Sequence, residues 1–196
     1  MFIDFVGVML VNLAAGLAIL AHYLYKNPAP GERRSWAAGF FAVGILGFAT
    51  SLGMVFMWPL PGGYNVAFGE PGLFLSTAFL GAAVTLTFEW EPLIPALYGM
   101  FGAIMAIVVG LRLLALHLTQ SPTVAAIGYL TAGIGGILTA GAINWRQVRW
   151  LAVLTAVILG ISAVVWAITG YMAVWSHILD FSKWVPPTMM TPHPTK

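Results

Sequence analysis

The chain has 196 residues and a composition that excludes most soluble folds. Of these residues 60% are hydrophobic and only 7% are charged, and the formal net charge is +2. Such values are typical of polytopic membrane proteins. The few basic residues are scattered, which excludes a nucleic-acid-binding protein because that function needs clustered Lys and Arg. The sequence contains no cysteine, so disulfides, thiolate metal sites and a cysteine nucleophile are also excluded.

Six apolar segments are each long enough to cross a bilayer as a helix. A hydrocarbon core about 30 Å thick requires about 20 helical residues. The connections are short and rich in Pro and Gly, which places consecutive helices side by side and antiparallel. We therefore predict one all-α bundle of six transmembrane helices over residues 1–181 and a polar extracytoplasmic tail over 182–196. The predicted spans are 3–25, 36–57, 72–88, 93–118, 123–143 and 150–176.

The distribution of Lys and Arg predicts the orientation of these helices. Connections rich in basic residues tend to stay in the cytoplasm. The first and fifth connections contain five basic residues, whereas the opposite side has only Lys183 and Lys196. Both termini are therefore predicted to lie outside the cytoplasm, in a multi-pass protein of the cell membrane. The five residues are Lys26, Arg33, Arg34, Arg146 and Arg149.

Small residues recur at four-residue spacing in the last three spans. In lipid, helices associate through close backbone approach at such positions. The spacing predicts that these three helices pack tightly together. The residues are Gly102, Ala106 and Gly110 in the fourth span, Gly128, Ala132, Gly136 and Ala140 in the fifth, and Ala152, Ala156 and Gly160 in the sixth.

Three polar residues of the first span define one candidate for function. At about 100° per residue, Asp4 and His22 point the same way, and Asn12 lies about 80° from them. Ionisable residues within spans usually face the bundle interior, so this side of the helix is expected to contact protein. Two interpretations follow. Either Asp4 and His22 lie at opposite water interfaces while Asn12 bonds another helix, or all three line a proton or ion path.

Arg112 is a second candidate, because it lies inside the fourth span. At that depth a guanidinium must extend to the interface or find a partner, and Asp4 and Glu70 are candidates on the same side. The alternative is that Arg112 anchors an anionic ligand such as a haem propionate.

Histidines near the outer ends of two spans suggest a cofactor. His117 follows Arg112 in the fourth span, and His177 shares a helix face with Asp180 in the sixth. Two histidines from two helices can bind haem b, and His177 with Asp180 can hold a metal ion. The alternative is that these side chains lie in the hydrated interface. Copper is a further possibility, from Met54 and Met57 and from the tail residues Met189, Met190 and His193.

The second connection, residues 58–71, is the most distinctive stretch. Its prolines and glycines, with Tyr64 and Phe68, predict a structured loop that folds over the mouth of the bundle. The run Trp-Pro-Leu-Pro-Gly-Gly-Tyr-Asn followed by Phe-Gly-Glu resembles the signature of a family of small multi-span prokaryotic membrane proteins catalogued only as a domain of unknown function. The resemblance implies no reaction or ligand. It makes Tyr64, Asn65 and Glu70 the first residues to test.

Glu89 and Glu91 lie two residues apart in the third connection and therefore do not share a helical face. A capping or interfacial role is expected for them rather than a cation site. No catalytic motif occurs in the chain, so an enzyme is not indicated. The expected function is a small membrane subunit or module that binds a partner, haem or a metal ion at its extracytoplasmic face. The alternative is a transporter or channel for a small solute or proton. The bilayer and other membrane subunits are the expected partners.

Overall fold

The computed structural model describes residues 5–185, which form six long α-helices and one 3₁₀ turn and contain no β-strand. Every one of the six helices is long and apolar enough to cross a membrane. The prediction of an all-α bundle with six spans is thus confirmed. The helices are α1 Phe5–Lys26, α2 Ala37–Met57, α3 Tyr64–Thr87, α4 Leu93–Leu116, α5 Pro122–Asn144 and α6 Arg149–Asp180, and the 3₁₀ turn is Arg33–Trp36.

The six helices form a closed ring. Each helix packs against its neighbours in chain order, and α6 packs against α1. The α1–α2 interface is the least extensive of the six. Because consecutive helices are antiparallel, the first, third and fifth connections meet at one end of the ring. We call this end the arginine end, since Arg33 and Arg146 lie there, and we call the opposite end the far end.

Helix α3 begins at Tyr64, rather than at residue 72 as predicted, so the second connection is short and most of the expected loop is helical. Pro71 lies inside this helix. Proline has no N–H, so the carbonyl of Ala67 loses its usual helical donor. The Tyr129 hydroxyl of α5 donates to that carbonyl over 2.7 Å. This bond supplies the missing donor. A segment whose Pro and Gly content is typical of a loop can therefore be helical in the membrane.

Close backbone approach joins α5 to both of its neighbours. A Cβ added at Gly136 would lie 2.7 Å from Ala103 Cβ of α4, and one added at Gly128 would lie 2.8 Å from Trp166 Cε2 of α6. The predicted packing of these spans is therefore confirmed for α4–α5 and α5–α6. However, α4 and α6 lie on opposite sides of α5 and share no substantial interface. Gly160 has no neighbouring atom within 4 Å of an added Cβ.

The prediction for the packed side of α1 was wrong. Val8 is 44% exposed, and Ala15 and His22 are also exposed, so this side faces out of the ring. Leu10 and Leu17 are among the buried residues on the other side. The physical reason is that lipid is as apolar as a protein core, so an apolar stripe does not distinguish a face packed on protein from one packed on lipid.

Candidate functional site in an axial cavity

A cavity of about 140 Å³ lies within the ring, and all six helices contribute to its wall. On α1 the lining residues extend from Met9 to Tyr23. At a rise of 1.5 Å per residue this is about 21 Å, or most of the thickness of a hydrocarbon core. The cavity is therefore elongated along the helix axes.

The wall of the cavity is mainly apolar. Its lining residues include no Asp, Glu, His, Lys or Arg. A charged molecule would lose its hydration there without meeting a counter-charge, which is strongly unfavourable. The wall therefore suits a neutral and largely apolar molecule. The polar or partly polar side chains in it are Asn12, Tyr23, Thr50, Ser51, Ser76, Tyr129, Thr139 and Trp166.

Three of these side chains, Asn12, Ser51 and Ser76, form a polar cluster where α1, α2 and α3 approach. Two glycines allow this approach. A Cβ at Gly47 would lie 3.0 Å from Asn12 Nδ2 and 3.0 Å from Ser76 Cβ, and a Cβ at Gly72 would lie 2.5 Å from Ser51 Oγ. The cluster therefore depends on the absence of side chains at these two positions.

The members of the polar cluster differ in their hydrogen bonds. Asn12 Nδ2 donates to the Val43 carbonyl over 2.9 Å, which is the interhelical bond expected in the first interpretation of α1. Ser76 Oγ donates to the Gly72 carbonyl of its own helix over 2.7 Å. Ser51 is only 1% exposed and lines the cavity, and no hydrogen bond of its hydroxyl is formed within residues 5–185. The hydroxyl is therefore free to bond a molecule in the cavity.

Aromatic side chains form the wall between α5 and α6. Trp166 is 2% exposed, and its Nε1 has no hydrogen-bond partner in the described part of the chain. Its ring meets that of Tyr129 edge to face, with centroids 4.9 Å apart. The Tyr129 hydroxyl is already bonded to Ala67. Trp166 is therefore a second wall residue with an unused donor.

An apolar block separates the polar cluster from the arginine end. Leu17, Phe40 and Phe79 are each at most 5% exposed. The rings of Phe40 and Phe79 lie 5.6 Å apart, and Phe40 also contacts Tyr23 edge to face at 5.7 Å. Along the axis of the ring, these residues lie between the cluster and Tyr23. The cavity therefore lacks the continuous polar lining that an ion path requires.

A network of charged and polar side chains closes the arginine end. Arg33 Nη1 lies 2.5 Å from Glu91 Oε1, and Arg146 Nε lies 3.4 Å from Glu91 Oε2. Arg146 also donates to Asn27 Oδ1 over 3.0 Å and to the Tyr23 hydroxyl over 2.9 Å. Because Tyr23 lines the cavity, this network forms its floor.

This network was not predicted from the sequence, where Glu91 was expected at the interface without a partner. The available signal was that Arg33, Glu91 and Arg146 occupy three different connections on the same side of the bundle. Opposite charges brought to one end of a ring in this way are expected to pair.

Two of the residues suggested by the family resemblance have structural roles at the far end. The Asn65 side chain is buried and accepts a hydrogen bond from the Leu60 N–H over 2.9 Å. It also donates to the Leu60 carbonyl. Tyr64 donates its hydroxyl proton to the carbonyl of Leu118, which ties α3 to the fourth connection. Asn65 thus holds the second connection in place.

The remaining far-end candidates do not converge. Arg112 and His117 are exposed, and no ion pair joins Arg112 to the half-buried Glu70 within residues 5–185. His117 directly follows α4 and His177 lies on α6, and α5 separates these two helices. Asp180 is exposed at the end of α6. No group of three or more His, Asp or Glu in the described residues is placed to hold a metal ion. Haem b and copper therefore remain predictions, and no site for them is formed by the His, Asp and Glu side chains of the described residues.

The predicted polar line of α1 is also divided. Asn12 lines the cavity, whereas His22 lies on the outside of the ring and contacts Trp36 edge to face at 5.2 Å. Asp4, the third member of that line, lies outside the described residues. The same holds for the tail residues Met189, Met190 and His193 of the copper prediction.

Comparison with known proteins gives the family but no activity. A family model described as protein of unknown function (DUF981) matches residues 1–180. No curated protein and no solved structure matches the chain. The match covers all six helices of the ring, and it confirms the resemblance noted in the sequence. The chain therefore belongs to the DUF981 family of proteins of unknown function.

Proposed function

We propose that this protein is a binding module of the cell membrane that holds a neutral, lipid-soluble small molecule in its axial cavity. The observation that supports the proposal is the unpaired hydroxyl of Ser51 in an elongated, uncharged and mainly apolar cavity. In this proposal the arginine end faces the cytoplasm, because the basic connections lie there.

The chemistry of the wall defines the class of ligand. Apolar side chains along the cavity favour a hydrocarbon body, and Ser51 favours one hydroxyl or carbonyl group on it. An apolar cavity of about 150 Å³ is large enough for a molecule of the size of benzene. A ligand of this cavity is thus a small ring or a short chain lying along the helix axes.

The route of entry follows from the packing of the ring. A lipid-soluble molecule arrives from the bilayer and has to pass between two helices. The α1–α2 interface is the least extensive of the six. Asn12, a member of the polar cluster, donates to the Val43 carbonyl across this interface, so the cluster lies beside it. We propose entry between these two helices.

A transporter or channel for ions has less support. The wall has no charged side chain, and Leu17, Phe40 and Phe79 make it apolar between the polar cluster and the arginine end. An ion entering such a segment would lose its hydration without compensation. Measurements of proton and ion flux in proteoliposomes test this alternative, with Asn12→Leu as the comparison.

The proposal is tested by purifying the full chain from native membranes in mild detergent. The bound small molecules are then extracted and quantified per protein by mass spectrometry. We expect one lipid-soluble compound near equimolar amounts. Ser51→Ala should lower the amount retained after washing about 3- to 10-fold, because one hydrogen bond is lost.

Thr155→Val is the matched control, since the buried Thr155 hydroxyl bonds its own helix, lies outside the cavity wall and is also lost in this variant. It should retain the compound as the wild type does. If no compound is retained above the level of bulk lipid, or if Ser51→Ala and Thr155→Val lose it equally, the proposal is wrong.

A further inference from the structure

The charges at the arginine end do not balance. The side chains of Arg33 and Arg146 are 9% and 17% exposed, and they share a single carboxylate, that of Glu91. Glu89 is engaged elsewhere, because it accepts a hydrogen bond from the Gly31 N–H over 2.9 Å. The two guanidiniums are therefore largely removed from water, and the single carboxylate leaves them with an excess charge of +1. Such a charge is costly unless another anion approaches it.

Both guanidiniums also keep donors that the network does not use. Arg146 Nε is buried, and although it lies 3.4 Å from Glu91 Oε2 it makes no hydrogen bond within the described residues. Arg33 uses Nε for the Pro28 carbonyl and Nη1 for Glu91, and no hydrogen bond from its Nη2 is formed within residues 5–185. Two arginines with free donors next to each other are suited to an oxyanion with several acceptor oxygens.

Glu91 differs from the two arginines in its exposure. Its side chain is 58% exposed, so it can turn into water at little cost. The Glu91 carboxylate therefore occupies the place beside the two guanidiniums where another anion can bind, and it is not fixed there. A stronger or doubly charged anion is able to compete with it for the two guanidiniums.

The depth of the network indicates which anion is available. Trp90, Trp145 and Trp150 are all more than half exposed and lie at this end of the ring. Such tryptophans mark the level of the lipid headgroups, where phosphate groups lie. Basic pockets between transmembrane helices bind anionic lipid headgroups.

We infer that Arg33 and Arg146 form a binding site for a phosphate group, from which Glu91 is displaced. The phosphate comes either from the headgroup of an anionic lipid or from free phosphate in solution. This inference is independent of the ligand proposed for the axial cavity.

The test uses the full chain in nanodiscs and measures the thermal unfolding midpoint. The discs contain phosphatidylcholine alone, phosphatidylcholine with phosphatidic acid, or phosphatidylcholine alone with added inorganic phosphate. We expect phosphatidic acid or inorganic phosphate to raise the midpoint. A rise with the lipid alone assigns the site to a headgroup, and a rise with inorganic phosphate assigns it to the free anion.

Glu91→Gln separates this site from a purely structural network. Removing the competing carboxylate should make phosphate bind about tenfold more tightly and so enlarge the rise in midpoint. A structural role alone predicts that Glu91→Gln lowers the midpoint without enlarging the response to phosphate. Arg33→Gln should abolish the response, whereas Arg34→Gln, which removes the exposed charge of the next residue, should preserve it.

The inference is overturned if neither source of phosphate raises the midpoint of the wild type. It is also overturned if the response of Glu91→Gln is no larger than that of the wild type, or if Arg34→Gln weakens the response as much as Arg33→Gln. Since Glu91→Gln is expected to gain binding, a variant that merely folds poorly does not imitate the expected result.

Discussion

Tyr129→Phe tests the bond that accommodates proline in α3. The change removes the hydroxyl that donates to the Ala67 carbonyl over 2.7 Å and keeps the ring that packs on Trp166. A buried carbonyl left unpaired costs about 1–3 kcal/mol, whereas measured interhelical hydrogen bonds in membranes reach at most about 1.7 kcal/mol. We expect Tyr129→Phe to lower the free energy of unfolding by about 1–1.5 kcal/mol.

The cause is isolated by repeating the change in a Pro71→Ala background. Alanine at this position has an N–H that can donate to the Ala67 carbonyl in the normal helical pattern. Tyr129→Phe should then cost no more than about 0.5 kcal/mol, which gives a coupling energy between the two sites of about 1 kcal/mol. The assay is reversible unfolding in mixed micelles of a mild detergent and dodecyl sulfate. If Tyr129→Phe costs the same in both backgrounds, Tyr129 does not compensate for the proline.

Three further predictions concern the far end, helix packing and orientation. Asn65→Ala removes the buried amide that holds the second connection, and should lower stability by about 1–3 kcal/mol in the same unfolding assay; an unchanged midpoint would contradict this role. Gly133→Ala places a Cβ 2.7 Å from a backbone oxygen of α4 and should cost about 1–3 kcal/mol. Gly160→Ala meets no atom within 4 Å and should be neutral or stabilising by up to about 1 kcal/mol, so equal costs would refute the packing argument. Because the chain has no cysteine, Ser121→Cys and Ser35→Cys can be labelled singly in intact cells with an impermeant maleimide. Labelling of Ser121→Cys alone is expected, and the reverse pattern would invert the orientation.

The number of spans could be predicted from the sequence because the thickness of the bilayer sets a minimum length for a spanning helix, and the length of each apolar segment can be compared with it. The start of α3 could not be predicted from the sequence. Pro71 and the glycines before it are typical of a loop, and the carbonyl that Pro71 leaves without a helical donor is bonded by the Tyr129 hydroxyl of a helix about sixty residues later. A bond between residues so distant in the chain leaves no local pattern.

The candidate site was only partly predictable for a related reason. The polar residue Asn12 was identified as notable because a buried amide in lipid needs a partner. Ser51 was not identified, because serine is common in membrane helices and usually bonds its own backbone, as Ser76 does. What distinguishes Ser51 is the glycine opposite it, Gly72, and this juxtaposition exists only in three dimensions.

The pairing of Arg33 and Arg146 with Glu91 has a mechanical consequence. It fastens three connections, and so all six helices, at a single point, whereas toward the far end the hydrogen bonds within residues 5–185 join α3 to the fourth connection, α3 to α5, and α6 to α5. Any widening of the ring should therefore separate the helices at the far end while the arginine end stays fixed. Spin labels at the far end would report changing separations, while labels beside the arginines would stay at constant distance.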